Sequence, residues 1–152
     1  MSEVMSAAER CEIERACERL VYAYSRALDL GDMNAAADFF AEKGSLARPM
    51  APDKIIMGRE TIRESLLTRP KALLTKHLAT NIVIDVISRD EAVGLSYLTM
   101  ISTTPPAGAA PPFVSQGPIY FGEFRDRFVR ENGTWKMLER RGSIQMKFGG
   151  AN

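Results

Sequence analysis

A chain of 152 residues has room for one domain with a full-sized core, so residues 1–152 are read as a single domain. Hydrophobic residues make up 45% and charged residues 26%, as in ordinary globular proteins, and a net charge of +1 gives no general basic field for nucleic acid or anionic lipid. No apolar run approaches the roughly 18 residues of a membrane span. The polar, acidic start "MSEVMSAAERCEIER" lacks the apolar stretch of a signal peptide.

Cys11 and Cys17 lie six apart on one predicted helix. That is about 9 Å along the axis, too far for a disulfide. They read as free thiols in a reducing cytoplasm, which is the expected location. With one histidine and no CxxC, no metal site and no cofactor is expected.

From Ala7 to Leu28, apolar residues recur at Ile13, Ala16, Cys17, Leu20, Val21, Tyr24, Ala27 and Leu28. Spacings of three and four predict an amphipathic helix. "DLGD" stops it, with Gly31 as C-cap and Asp32 as the next N-cap. "MNAAADFFA" predicts a short second helix ending near Glu42. Gly44 to Pro49 and Ile55 to Met57 predict two short strands around the turn "MAPDK". "GRETIRESLLTRP" predicts a third helix that Pro70 ends.

The period then changes to two. Long strands are predicted over Leu74–Ile87, Val93–Thr103, Ile119–Arg130 and Thr134–Lys147, with Asn132-Gly133 as the hairpin turn between the last two. The stretch from Thr103 to Pro118, "TTPPAGAAPPFVSQGP", is too rich in Pro, Gly and Ala for either regular structure; it could cover a pocket mouth or reach a second subunit. Three helices in the first half and long antiparallel strands after them indicate α+β, with a strongly bent sheet wrapped round the helices as a cone with a pocket.

Strict alternation on the first long strand puts Thr75, His77, Ala79, Asn81 and Val83 on one face. Leu78, Thr80, Ile82, Ile84 and Val86 fall on the other. The mixed face should line the pocket, and the Ile/Val face should pack against a second subunit, giving a homodimer or higher homo-oligomer. On the third long strand, Tyr120, Gly122, Phe124, Asp126 and Phe128 share a face suited to a pocket wall. Arg125, Arg127 and Arg130 suit solvent or a subunit rim. Asp126 is expected to pair with Arg140 as a structural salt bridge, and Trp135 to be core.

His77 is the only histidine. An imidazole titrates near neutral pH, and as a general base it needs a carboxylate to fix its tautomer. Asp29, at the end of the first helix, is the candidate. The plain alternatives are a turn-forming Asp29 beside Gly31 and a hydrogen-bonded core His77.

Four stretches carry a resemblance: "YSRALDLGDMNAAADFFAEKG", "GRETIRESL", "HLATN" and "GEFRDRFVRENGTWKMLERR". Together they resemble the SnoaL-like family of the nuclear transport factor 2 (NTF2)-like superfamily, from about Cys11 to about Arg141. The family implies a cone-shaped α+β barrel, dimeric as a rule, with a deep apolar pocket. Its members with an Asp–His pair are cofactor-free lyases or isomerases, among them scytalone dehydratase, bile-acid 7α-dehydratase and hexachlorocyclohexane dehydrochlorinase.

The resemblance carries those roles onto Asp29 and His77. "YSRALD" matches a pattern with a tyrosine five residues before the aspartate, here Tyr24, Arg26 and Asp29. The dehydratases also keep a polar residue on the strand after the histidine strand, where this chain has Met100. A strand tyrosine of theirs falls near Leu46. The base is therefore present while the acid for the leaving group is not.

The sequence-based reading is a cofactor-independent lyase or isomerase acting on a small, largely apolar molecule such as a steroid, polyketide or aromatic. His77 is the base, Asp29 orients it, and Tyr24 donates to developing negative charge. Asn81 orients substrate or satisfies backbone on a bent strand. Phe124, Met100 and Tyr120 line the pocket. The alternative is a non-catalytic ligand-binding or assembly module on the same fold.

Overall fold

The computed structural model describes residues 4–115 and 117–150. Helix α1 (Ala7–Leu30) starts at a capping box, in which the Glu9 N–H donates to Ser6 Oγ and the Ser6 N–H donates to the Glu9 carboxylate. It stops at Gly31, whose φ of 76° is the left-handed conformation a helix terminator needs. Ile13, Cys17, Val21, Tyr24 and Leu28 form its buried stripe.

Helix α2 spans Met33–Asp38, and strand β1 (Phe40–Arg48) follows almost at once. The expected continuation of the helix to Glu42 is wrong. Phe40 pairs with Met137 in the sheet and is fully buried, so sheet pairing overrides local helix preference there. Strand β2 spans Ala51–Met57, and the hairpin turns at Pro49-Met50 instead of at "MAPDK". β2 is an edge strand, where Pro52 can sit without breaking the ladder. Helix α3 (Arg59–Leu67) buries Ile62 and Leu66.

The long strands are β3 (Leu74–Val86), β4 (Glu91–Thr103), β5 (Ile119–Glu131) and β6 (Thr134–Phe148). Asn132 and Gly133, at φ of 51° and 79°, make the tight turn between the last two. The fold is α+β: helices pack on one six-stranded sheet of order β2-β1-β6-β5-β4-β3. β1 and β6 run parallel, and the other neighbours are antiparallel. The sheet curls without closing, so β2 and β3 remain as edges.

The alternation predicted for β3 fails halfway. Between the pairs Thr80↔Tyr97 and Val83↔Leu95, Asn81 and Ile82 together oppose Ser96 alone. This is a β-bulge, and Asn81 sits in it at φ 50°. One extra residue reverses every side chain beyond it. Ile82, Ile84 and Val86 therefore turn inward onto the core, and Asn81 and Val83 are exposed. Asn81 does not share the His77 face, and the expected outward Ile/Val face does not exist in that form. The outward apolar residues of β3, β4 and β6 include Leu78, Val83, Tyr97 and Met146. On β5 the expected alternation holds: Gly122, Phe124, Asp126 and Phe128 are buried, and Arg125, Arg127 and Arg130 are exposed.

The bulge divides the interior. On one side of it, Ile13, Cys17 and Val21 of α1 pack with Ile84, Ala92, Phe128 and Met137 as a filled core. Trp135 is half-buried against that core. On the other side, the end of α1 meets β3 through Asp29, and a cavity remains between α1, α3 and the sheet. No helix among the described residues is long and apolar enough to cross a membrane.

Candidate active site

The cavity has a volume of about 370 Å³. Tyr24, Ser25 and Leu28 of α1 line one side, and Thr75 and His77 of β3 the next. Leu98, Met100 and Ser102 of β4, Phe124 of β5 and Ile144 of β6 form the sheet wall. Leu46 and Arg48 of β1, Leu66 of α3 and the segment from Thr68 to Leu73 complete it. The lining is mostly apolar with a few polar groups, the usual make-up of a small-molecule site.

Asp29 stands behind His77. Its Oδ1 is 2.6 Å from His77 Nδ1, and its Oδ2 accepts the His77 backbone N–H at 2.9 Å. The Thr75 hydroxyl donates to the same Oδ1 at 2.9 Å, and Arg69 Nη2 donates to Thr75 Oγ1. A carboxylate in the last turn of a helix is opposed by the helix dipole. These donors outweigh that cost. Burial alone would raise the Asp29 carboxyl, but the His77 ring, the His77 N–H and Thr75 bring it below its ordinary value. Asp29 is therefore the charged acceptor, and His77 Nδ1 carries the proton it accepts. The remaining ring nitrogen, Nε2, is the basic one.

Tyr24 is buried, with its ring edge-on to Phe40 at 5.7 Å between centroids. Burial pushes its phenol up, although Arg140 and Arg48 pull the other way, so it remains an O–H donor at neutral pH. Beneath the cavity, Arg140 Nη1 meets Asp126 Oδ2 at 2.6 Å, with both side chains 1% exposed. This is the expected salt bridge. The Arg140 guanidinium lies 3.7 Å from the Phe124 ring centroid and 4.9 Å from that of Tyr24.

Of the sequence-predicted residues, His77, Tyr24, Met100 and Phe124 line the cavity, with Asp29 directly behind His77. Met100 is the cross-strand partner of His77. Tyr120 is the partner of Met100 on the next strand, is half-buried, and is not among the lining residues. Asn81 is outside the cavity at the bulge, and Arg26 is exposed on the far side of α1. Arg48 and Arg69 were not expected. Arg69 sits in an irregular segment before Pro70, and Arg48 at a strand end, where no periodic pattern marks a wall residue. Thr75 was legible in principle, because it lies two residues before His77 on the same face.

The loop after β4 folds back on that strand. Ser115 Oγ donates to the Ser102 carbonyl at 2.8 Å, and Thr103 Oγ1 donates to the Val114 carbonyl at 3.2 Å. A second, open cavity beneath it shares Leu73 and Ser102 with the first, so the loop adjoins the site. Among the described residues no group of three or more His, Cys, Asp or Glu could hold a metal ion.

A helix-covered, curled sheet enclosing a cavity defines the NTF2-like, cystatin-like class of α+β folds. Residues 9–141 match the model of the SnoaL-like domain, and the chain belongs to the SnoaL-like family. Solved structures agree on the fold. A scytalone-dehydratase-like protein from Novosphingobium aromaticivorans superposes with a TM-score of 0.79 at 24% identity, covering 97% of this chain and 93% of that one. A type 2 hexachlorocyclohexane dehydrochlorinase gives 0.79 at 15% identity, covering 97% and 95%. An aromatic-ring-hydroxylase-like protein from N. aromaticivorans gives 0.72 at 22% identity, covering 93% and 94%. No curated protein sequence matches the chain.

Proposed function

We propose that the protein is a cofactor-independent lyase or isomerase for a small, largely apolar molecule. The observation that carries this reading is the 2.6 Å contact between Asp29 and a histidine on the cavity wall. Asp29 holds Nδ1 protonated, so Nε2 can take a proton from substrate carbon next to an electron-withdrawing group. The imidazolium that forms is stabilised by Asp29. Tyr24 donates to the oxygen on which negative charge develops.

Met100 beside His77 constrains the second half of the reaction. It offers no proton to a departing hydroxyl. A leaving group that departs as a stable anion needs none, and an isomerisation returns the same proton from His77 to another carbon. Both suit the site better than loss of water. The printed activity of one structural neighbour, a dehydrochlorinase, is compatible with this class.

The same absence of an acid favours a second reading, a ligand-binding module without chemistry. One experiment separates them. Hits from a thermal-shift screen of ring compounds are tested for turnover with wild type and with a folded His77→Ala variant. The enzyme reading expects a loss of about 10²–10⁴-fold. Equal rates in the two proteins would sink it.

The outward residues Leu78, Val83, Tyr97 and Met146 support a homodimer built on the outer sheet face. A sedimentation experiment giving a monomer at micromolar concentration would refute that part. The free thiols Cys11 and Cys17 suit a reducing cytoplasm.

A further inference from the structure

Two arginines on the cavity wall have no role in the chemistry above. Arg48 and Arg69 both line it, and among the described residues neither makes a salt bridge with a carboxylate. Arg48 Nη2 donates to the Ser65 carbonyl and to Ser65 Oγ at 2.8 Å, while its Nε is buried with no hydrogen-bond partner. Arg69 Nη2 is engaged by Thr75, and a guanidinium has further N–H groups to offer.

Buried charges in proteins are normally paired, because removing one from water is costly. The buried guanidinium beneath the cavity follows that rule: Arg140 has Asp126, while Arg48 and Arg69 are half-buried without a carboxylate partner. At the cavity the count does not balance. Two guanidiniums line the cavity, and the carboxylate of Asp29 behind its wall is already committed to His77 and Thr75. The site has one positive charge in excess. Burial lowers the Arg69 guanidinium, and the nearby Arg48 adds to that, while Asp29 and Tyr24 oppose it.

We propose that Arg48 and Arg69 form an anion subsite, and that the ligand of this cavity is a small apolar carboxylic acid bound as its carboxylate. This rests on the reading of the cavity as a small-molecule site and deepens it. A monoanion would cancel the excess charge and suit the planar guanidinium forks. The apolar body would lie over Leu98, Phe124 and Ile144. Arg69 is linked through Thr75 and Asp29 to His77 Nδ1, so the anion subsite and the base share one hydrogen-bonded chain.

The test uses the intact chain and two probes of one shape, 2-naphthoate and 2-naphthamide, titrated calorimetrically at fixed ionic strength. Wild type should bind the acid about tenfold or more tightly than the amide. Arg48→Gln and Arg69→Gln should each reduce that ratio, and Arg125→Gln, on the exposed face of β5, should leave it unchanged. If a Gln variant does not fold, judged by circular dichroism, the matching Lys variant is used; it keeps the charge, loses the fork and should lower the ratio in part. Equal affinity of wild type for acid and amide overturns the proposal. So does a ratio that persists in both arginine variants, since the anion is then held elsewhere. Catalysis is judged separately: an acid-selective cavity with a His77→Ala variant of undiminished turnover removes the enzyme reading and leaves the subsite standing.

Discussion

Asp29 holds His77 at two points, with Oδ1 2.6 Å from the ring Nδ1 and Oδ2 accepting the backbone N–H at 2.9 Å. One carboxylate thus fixes both the tautomer of the base and the place where β3 meets the end of α1. The two effects can be separated by Asp29→Asn. An amide oxygen can still accept one of these bonds, but its NH₂ cannot accept the other. Where the NH₂ faces Nδ1, it forces the opposite tautomer, with the proton on Nε2. The expected outcome is a folded protein whose turnover falls by about 10²–10⁴-fold. Imidazole nitrogen shifts in NMR should report Nδ1–H in wild type and a changed tautomer in the variant. A variant of wild-type rate and tautomer would refute the assigned role of Asp29.

The same contacts set a pH dependence of stability. The folded Asp29 carboxyl lies below its ordinary value of about 3.9. A depressed acid stabilises fully above the ordinary value, and the contribution is lost as pH falls through the folded one. Glu9 in the capping box, held at about 2 by the Ser6 N–H and Arg89, acts with the same sign. Asp126 acts oppositely, since burial pushes it up to about 6 against the pull of Arg140; its contribution grows as pH falls through that value. Comparing wild type with Asp29→Asn cancels the last two. The expected result is that wild type loses its advantage over the variant as pH falls below about 4, by urea unfolding. A constant difference across that range would mean that Asp29 is not depressed.

The long strands, the helix stops at Gly31 and Pro70 and the Asp126–Arg140 pair were legible because each rests on a local signal: alternation, a breaker or a charge on a buried face. Asp29 and His77 were legible as chemistry, and their contact followed from the family resemblance. What escaped depended on pairing between distant strands. Nothing near Asn81 announces that it and Ile82 will together oppose Ser96, yet that one residue moves Asn81 out of the site and Ile84 into the core. Phe40 likewise looks helical until Met137 of β6 is placed beside it. Arg48 and Arg69 reach the cavity from a strand end and an irregular segment, where periodicity has no reading to offer.

The bulge can be tested directly. Asn81 holds φ 50°, a conformation that asparagine and glycine tolerate and β-branched residues do not. Asn81→Gly should change stability by less than about 0.5 kcal/mol, while Asn81→Val should cost about 1–2 kcal/mol. Neither should change turnover by much, because Asn81 is outside the cavity. A large loss of activity in a stably folded Asn81→Gly protein would restore it to the site.

The pair beneath the cavity gives the last prediction. Asp126 and Arg140 are 1% exposed and bound at 2.6 Å, but Asp126 Oδ1 and Arg140 Nε have no hydrogen-bond partner. A buried ion pair with unmet groups recovers little of its desolvation cost, while breaking it leaves a bare buried charge. Asp126→Leu alone should therefore destabilise by about 3–5 kcal/mol, and Arg140→Met alone by a similar amount. The double variant should lie closer to wild type than either single one, with the coupling read from a double-mutant cycle in urea. Arg140 also lies against Phe124 and Tyr24 at the cavity floor. The double variant should for that reason change ligand affinity even where stability is regained. Additive single losses would mean that the two charges stabilise the fold independently, through partners other than each other.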